Sequence, residues 1–106
     1  AQGLPHEHGS TSGSQIREFL PKCEQALDGL ADAAGRAVRQ VDLEDPAPYD
    51  AFVSVLDHDA RNARAAVRLV LAQPSIGSQL VDNLNASSHV RAVLTDLFLL
   101  DEVLKR

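Results

Sequence analysis

Cysteine and long apolar runs are both scarce in this sequence. Cys23 is the single cysteine among 106 residues, so no disulfide can form within the chain, and we expect a reducing, cytoplasmic location. It falls on an apolar helical stripe, which predicts a small buried hydrophobe rather than a reactive thiol. No apolar run approaches the roughly 18 residues needed to cross a bilayer. The sequence therefore predicts no membrane segment. Because the first residue is Ala1 and not Met, we expect either a piece of a longer protein or a processed chain.

Aromatic residues are also few, and positively charged residues do not cluster. One tyrosine, three phenylalanines and no tryptophan, beside abundant Leu, Ala and Val, favour helices that pack through aliphatic side chains, so we expect an all-α fold. The net charge of -5 and the absence of a Lys/Arg cluster exclude a protein that tracks a nucleic-acid backbone. The length suits one domain and is too short for a kinase with its own ATP site.

The first half of the chain divides into three segments. Residues 1–14 are rich in Gly, Ser and His without a hydrophobic period, which predicts a disordered tail or an expression-vector remnant. Residues 15–41 repeat apolar side chains in steps of three and four, and Pro21 places the regular helix at about 21–41. Acidic residues and two prolines make 42–48 a linker.

The second half, residues 49–106, reads as a helical hairpin. Its arms are predicted at about 48–73 and 76–106, with Pro48 in a first turn and Ser75 as an N-cap. The polar cluster at 85–88 either breaks the second arm or is absorbed into one continuous helix. We expect two such hairpins to dimerise as a four-helix bundle, with the 21–41 helix preceding each.

The first arm of this hairpin carries two different faces. At about 100° per residue, one narrow sector collects a core-facing stripe of Phe52, Val53, Leu56, Ala60, Ala63, Val67, Val70 and Leu71. A second strip holds Val55, His58, Asn62, Ala65 and Leu69. His58 is therefore predicted on an accessible and partly apolar flank that suits docking.

The segment His58-Asp59-Ala60-Arg61-Asn62 resembles the phosphoacceptor motif of sensor histidine kinases, a histidine followed by an acidic residue, two positions often ending in Arg, and Thr or Asn. That motif lies on the first helix of a hairpin, and residues 90–101 look like the Leu-rich second helix. The resemblance covers about residues 47–106 and extends to phosphorelay histidine phosphotransferases. The chain departs from the family at Ala63, where Pro is common, and at Ala60, where a larger apolar residue is usual.

The resemblance implies a dimerisation and phosphoacceptor domain of two-component signalling, which passes phosphate from His58 to the aspartate of a response-regulator receiver domain. His58 is the expected nucleophile, since a neutral imidazole has a ring nitrogen free to attack phosphorus. Asp59 is the candidate orienter or base. Asn62, one turn on, is positioned to hold a water, and Val55, Ala65 and Leu69 are expected to contact the partner. ATP would bind a separate catalytic domain, and no cofactor or metal is expected on this chain.

The alternative is a non-catalytic helical interaction or dimerisation module in which His58 is an ordinary surface residue. The remaining candidate groups fit this simpler interpretation. His6 and His8 lie in the Gly/Ser tail without fixed geometry, and His89 is expected at a helix cap or surface. Asp96 and Asp101 are five residues apart and do not share a helical face, so both are predicted to be solvated charges.

Overall fold

The computed structural model describes the backbone of residues 3–105 and the side chains of residues 17–105. Four helices follow one another: α1 (Gly3–Arg39), α2 (Ala47–Leu71), α3 (Ser78–Ala86) and α4 (Ser88–Leu104). No strand occurs in this part of the chain. The expected all-α fold is confirmed.

Helix α1 continues through Pro21, so the prediction that regular helix starts there is wrong. A proline in a helix interior removes one backbone hydrogen bond. Tertiary contacts hold this stretch of α1 in place, since Leu20 is buried and the Arg17 guanidinium donates 3.0 Å hydrogen bonds to the carbonyls of Gln73 and Pro74. The helix also begins ahead of the predicted tail boundary, at Gly3; side chains 1–16 lie outside the described residues.

The later helix boundaries follow local turn chemistry. Pro48 lies in the first turn of α2, as predicted. The Ser87 hydroxyl accepts a 3.3 Å hydrogen bond from the Val90 N–H, which caps α4. Of the two alternatives for residues 85–88, the structure has the break and not the continuous helix. The N-cap predicted at Ser75 is wrong, since α3 begins at Ser78 after Gly77. Ile76 is buried against the end of the bundle, and α3 begins two residues after it.

Helix α2 is the central element of the bundle. It packs along α1 on one side and α4 on the other, while α3 closes one end of the bundle. One core cluster joins Val38 of α1, Leu56 of α2 and Leu100 of α4. The other joins Leu20, Val67 and Leu84 near α3. Because α1 and α4 both run antiparallel to α2, they are parallel to each other. The predicted hairpin therefore exists as α2 and α4, with α1 added along its side.

Candidate functional site

The inner stripe of α2 fixes how the helix is rotated in the bundle. Its buried members are the side chains predicted to face the core, namely Leu56, Ala60, Ala63, Val67 and Val70. Leu56 is 0% exposed, and Phe52 and Val53 pack against the same cluster. Because this face is packed against α1 and α4, the opposite face of α2 must point toward solvent.

The outer strip of α2 consists of Val55, His58, Asn62, Ala65 and Leu69, and all five side chains are exposed. Val55 is 45% exposed and Leu69 is 66% exposed, so the strip presents apolar surface on either side of the histidine. Successive members lie three or four residues apart and therefore share one face over about four turns. A protein that contacts this face reaches the His58 imidazole without any rearrangement of the bundle.

Arginines beside the outer strip form ion pairs with acidic residues. The Arg61 guanidinium pairs with the Asp57 carboxylate at 3.1 Å, both on α2. Arg64 reaches across to α1, where its Nε lies 3.2 Å from Glu24 and its Nη1 lies 2.9 Å from Asp28. Since the Arg64 side chain is one-third exposed, these pairs contribute only modestly to stability. They do orient its guanidinium toward α1 and away from the histidine.

Sequence reasoning missed this cross-helix cluster. Its signal is present, because Glu24 and Asp28 are spaced i, i+4 on the first helix, and Arg64 and Arg68 repeat that spacing on the second. Arg68 Nε also approaches Glu24 Oε2, at 3.5 Å. Matching the two pairs requires knowing that α1 lies antiparallel along α2, and periodicity within one helix does not show that.

Asp59 lies in the seam between α2 and α4. There its carboxyl group interacts with that of Asp96, which is 6% exposed. The prediction that Asp96 is solvated is wrong, since its position on α4 turns it toward α2. Its Oδ2 is buried without a hydrogen-bond partner. Burial, followed by the hydrogen bond and the charge of Asp59, raises the pKa of Asp96 to about 6.

The two acids adjacent to His58 therefore have other partners. Asp57 pairs with Arg61, and Asp59 faces Asp96. In a helix, neighbouring residues project about 100° apart, which explains why an acid directly after a histidine can lie on another face. Among the described residues, no hydrogen bond or ion pair fixes the His58 ring. The expected role of Asp59 as its orienter stays a prediction.

The other candidate groups stand apart from the strip. His89 is exposed near the start of α4, as predicted, and Asp101 is an exposed partner of Lys105. Cys23 is half-buried, and desolvation raises the pKa of its thiol. Residues 17–105 contain no cluster of three or more metal-ligating side chains. His6 and His8 lie outside the described side chains.

None of the helices within the described range combines the length and apolarity that crossing a membrane requires.

Comparison with known proteins leaves the site to be interpreted from its own geometry. The chain matches no family model, no curated protein and no solved structure.

Proposed function

We propose that this domain is a histidine phosphoacceptor in two-component signalling, with His58 as the residue that carries the phosphoryl group. The observation that supports the proposal is the exposure of His58 in the middle of the outer strip. An acceptor must be reachable by a donor protein and then by a recipient protein. The apolar exposure of Val55 and Leu69 supplies a surface for docking beside it.

The proposed step is a transfer between proteins. A lone pair on a ring nitrogen of His58 forms an N–P bond while the bond from phosphorus to the donor breaks, and the donor group leaves with its electron pair. The proton on the other ring nitrogen is released to water or to a base of the docked protein, since Asp59 faces Asp96. In the second transfer, a carboxylate oxygen of the receiver aspartate forms an O–P bond while the N–P bond breaks. The electron pair of that bond stays on the ring nitrogen, and the ring takes a proton back from water or from the base, which restores the neutral imidazole.

Other parts of the reaction lie on partner proteins. ATP, where a kinase is the donor, binds a separate catalytic domain. Asn62 is exposed one turn beyond His58 and is placed to hold a water near the docked receiver. The proposal includes a homodimer with a four-helix core, which keeps two acceptor faces in one assembly.

The test is transfer to and from a receiver domain. The protein is treated with phosphoramidate, which donates a phosphoryl group to histidine and releases ammonia. It is freed of the reagent by gel filtration, because phosphoramidate can also phosphorylate a receiver aspartate directly, and is then mixed with response-regulator receiver domains. We expect phosphate to move to a receiver from the wild-type chain and from His89→Gln, and not from His58→Gln. His89 is a matched control because it is also an exposed helical histidine. Equal transfer from His58→Gln, or none to any receiver from the wild type, contradicts the proposal.

A second candidate is a helical interaction module that carries no phosphate. The position of Asp59 favours it, because the acid that accompanies the histidine in the motif lies in a helix seam. In that case Val55 and Leu69 still bind a partner, and His58→Gln leaves that binding intact. Retained binding together with absent transfer supports this candidate.

A further inference from the structure

An apolar groove lies on the side of the bundle opposite His58. Helices α1 and α4 form its walls, Ala63 and Val67 of α2 form its floor, and Leu84 of α3 closes one end. Its volume is about 310 Å³, and no charged residue lines it among those described. The site proposed above does not use this surface.

The groove leaves large apolar side chains in water. Phe19, on the α1 wall, is 62% exposed, and Leu94, on the α4 wall, is 49% exposed. Phe98 follows Leu94 by one turn on the same edge of α4 and is 73% exposed. Since a large aromatic side chain carries about 200 Å² of surface, the two phenylalanines alone expose on the order of 300 Å². This exposed area is comparable with the largest apolar patch on a typical monomeric protein, and such patches are often functional.

We propose that a second copy of this chain fills the groove. A two-fold axis along the helices sets α4 of each copy over α1 of the other, so that α1, α4 and their symmetry mates form the four-helix core. The two walls are complementary in size. The α4 edge carries Leu94 and Phe98, whereas the α1 edge beyond Phe19 offers the exposed small side chains of Ala26 and Ala33. Bulky residues of one copy thus meet small residues of its mate.

The exposed area sets the expected strength. With Leu94 and the smaller groove residues added, each copy contributes roughly 500 Å², which is below the ~800 Å² per partner of a typical stable interface. Interfaces below the standard size are typical of weak and transient complexes, so we expect a dissociation constant in the micromolar range. In this arrangement both outer strips face away from the interface. The inference rests on the homodimer of the proposed function and names its surface. Its four-helix core differs from the expected one, in which two hairpins paired, because the inner stripe of α2 is already buried against α1 and α4 of the same chain.

The test is sedimentation equilibrium of the whole chain from about 1 µM to about 500 µM, a range that brackets micromolar association. The wild type is expected to dimerise. Phe98→Glu is expected to raise the dissociation constant roughly 30-fold or more, as for loss of an interface hot spot. Ala26→Glu, on the opposite wall, is expected to act in the same direction. Circular dichroism checks that both variants keep their helices, since both sites are exposed.

Leu69→Glu is the matched control, because Leu69 is about as exposed as Phe98 and lies on the outer strip. Its dissociation constant is expected to stay within about threefold of the wild type. A wild type that remains monomeric at the highest concentration overturns the proposal and indicates another occupant. Dimers that survive both Phe98→Glu and Ala26→Glu, or that Leu69→Glu disrupts instead, also overturn it. No phosphoryl step enters this measurement, so its failure is distinct from failure of phosphotransfer.

The lone thiol gives a second readout. Cys23 lines the groove and is half-buried, so a covering copy shields it further. We expect its alkylation rate to fall as protein concentration rises in the wild type and to be independent of concentration in Phe98→Glu. A wild-type rate that is unaffected by concentration across the dimerisation range contradicts the assignment of this surface.

Discussion

The two sides of α2 differ in what their apolar side chains do. The inner stripe is buried against α1 and α4, and it includes Leu56, with no exposed surface. The outer strip repeats apolar residues at similar spacing, yet Val55 and Leu69 remain in water. Folding uses the inner stripe and does not require the outer strip. The apolar character of the outer strip is therefore available for binding, and His58 lies within that surface.

The most severe test of this contrast compares truncations on the two sides. Leu56→Ala should lower the free energy of unfolding by about 2–5 kcal/mol, because it leaves a cavity at the junction of three helices. Leu69→Ala should change it by less than about 0.5 kcal/mol. Urea denaturation followed by circular dichroism measures both. If the two losses are similar, the outer strip is part of the folding core and its proposed binding role is wrong.

The second test concerns the seam between α2 and α4. Unfolded Asp96 has its ordinary pKa of 3.8, whereas the folded value is about 6. Between about pH 4 and pH 6, Asp96 is therefore protonated in the native state and ionised in the unfolded state. The resulting stability is present in full below about pH 4 and is lost as the pH rises through about 6. At about 1.4 kcal/mol per pKa unit, the shift of Asp96 lowers the free energy of unfolding at pH 7.5 by on the order of 3 kcal/mol relative to its value at low pH.

Replacing the carboxyl group with an amide should remove that cost. Asp96→Asn is expected to raise the free energy of unfolding at pH 7.5 by about 1–3 kcal/mol and to leave it little changed near pH 3, below the pKa of the carboxyl group in both states. Asp101→Asn, at an exposed acid paired with Lys105 at 3.0 Å, is the control and should change stability by a few tenths of a kcal/mol at most. Denaturation midpoints of Asp96→Asn that run parallel to the wild type across this pH range contradict the buried carboxyl pair.

The smallest expected change in stability comes from glycine-to-alanine substitutions on the outward and inward faces of α1. Gly29 lies in the helix with nothing within 4 Å of the position of an added Cβ. Gly29→Ala should stabilise the domain by about 0.5–1 kcal/mol, since alanine loses less backbone entropy in a helix. At Gly35 an added Cβ lies 3.4 Å from Arg39 Nη1 and 4.0 Å from Val53 Cγ1, which are ordinary van der Waals distances. Because this position is buried, Gly35→Ala also buries a methyl group, and its gain should be at least as large. Thermal denaturation ranks the two variants, and a loss of stability in Gly29→Ala contradicts the open environment.

Periodicity was sufficient to predict the two faces of α2. The helical repeat of 3.6 residues per turn assigns Leu56 to one face and His58 to another. This assignment does not require the positions of the neighbouring helices. The cap at Ser87 was also predictable, because its hydroxyl bonds to a backbone N–H three residues away. Such features depend on contacts within a few residues of sequence.

Features that depend on contacts between helices were not predicted. Asp96 is buried because Asp59, from another helix, lies against it, and the pairing of Arg64 with Glu24 requires α1 alongside α2. The hydrogen bonds from Arg17, four residues before Pro21, to the carbonyls of Gln73 and Pro74 likewise require the start of α1 to lie against the end of α2. Each of these partners is more than 30 residues away in sequence, where helical spacing carries no information.

The most direct test of the central claim is the phosphorylation state of His58 in protein isolated under alkaline conditions from the cells that make it. Peptide mass spectrometry should find a phosphoryl group on the His58 peptide that survives alkali and is lost in acid, with His89 unmodified. An unmodified His58 in cells under conditions that activate their two-component systems, or phosphate on His89 instead, contradicts the account.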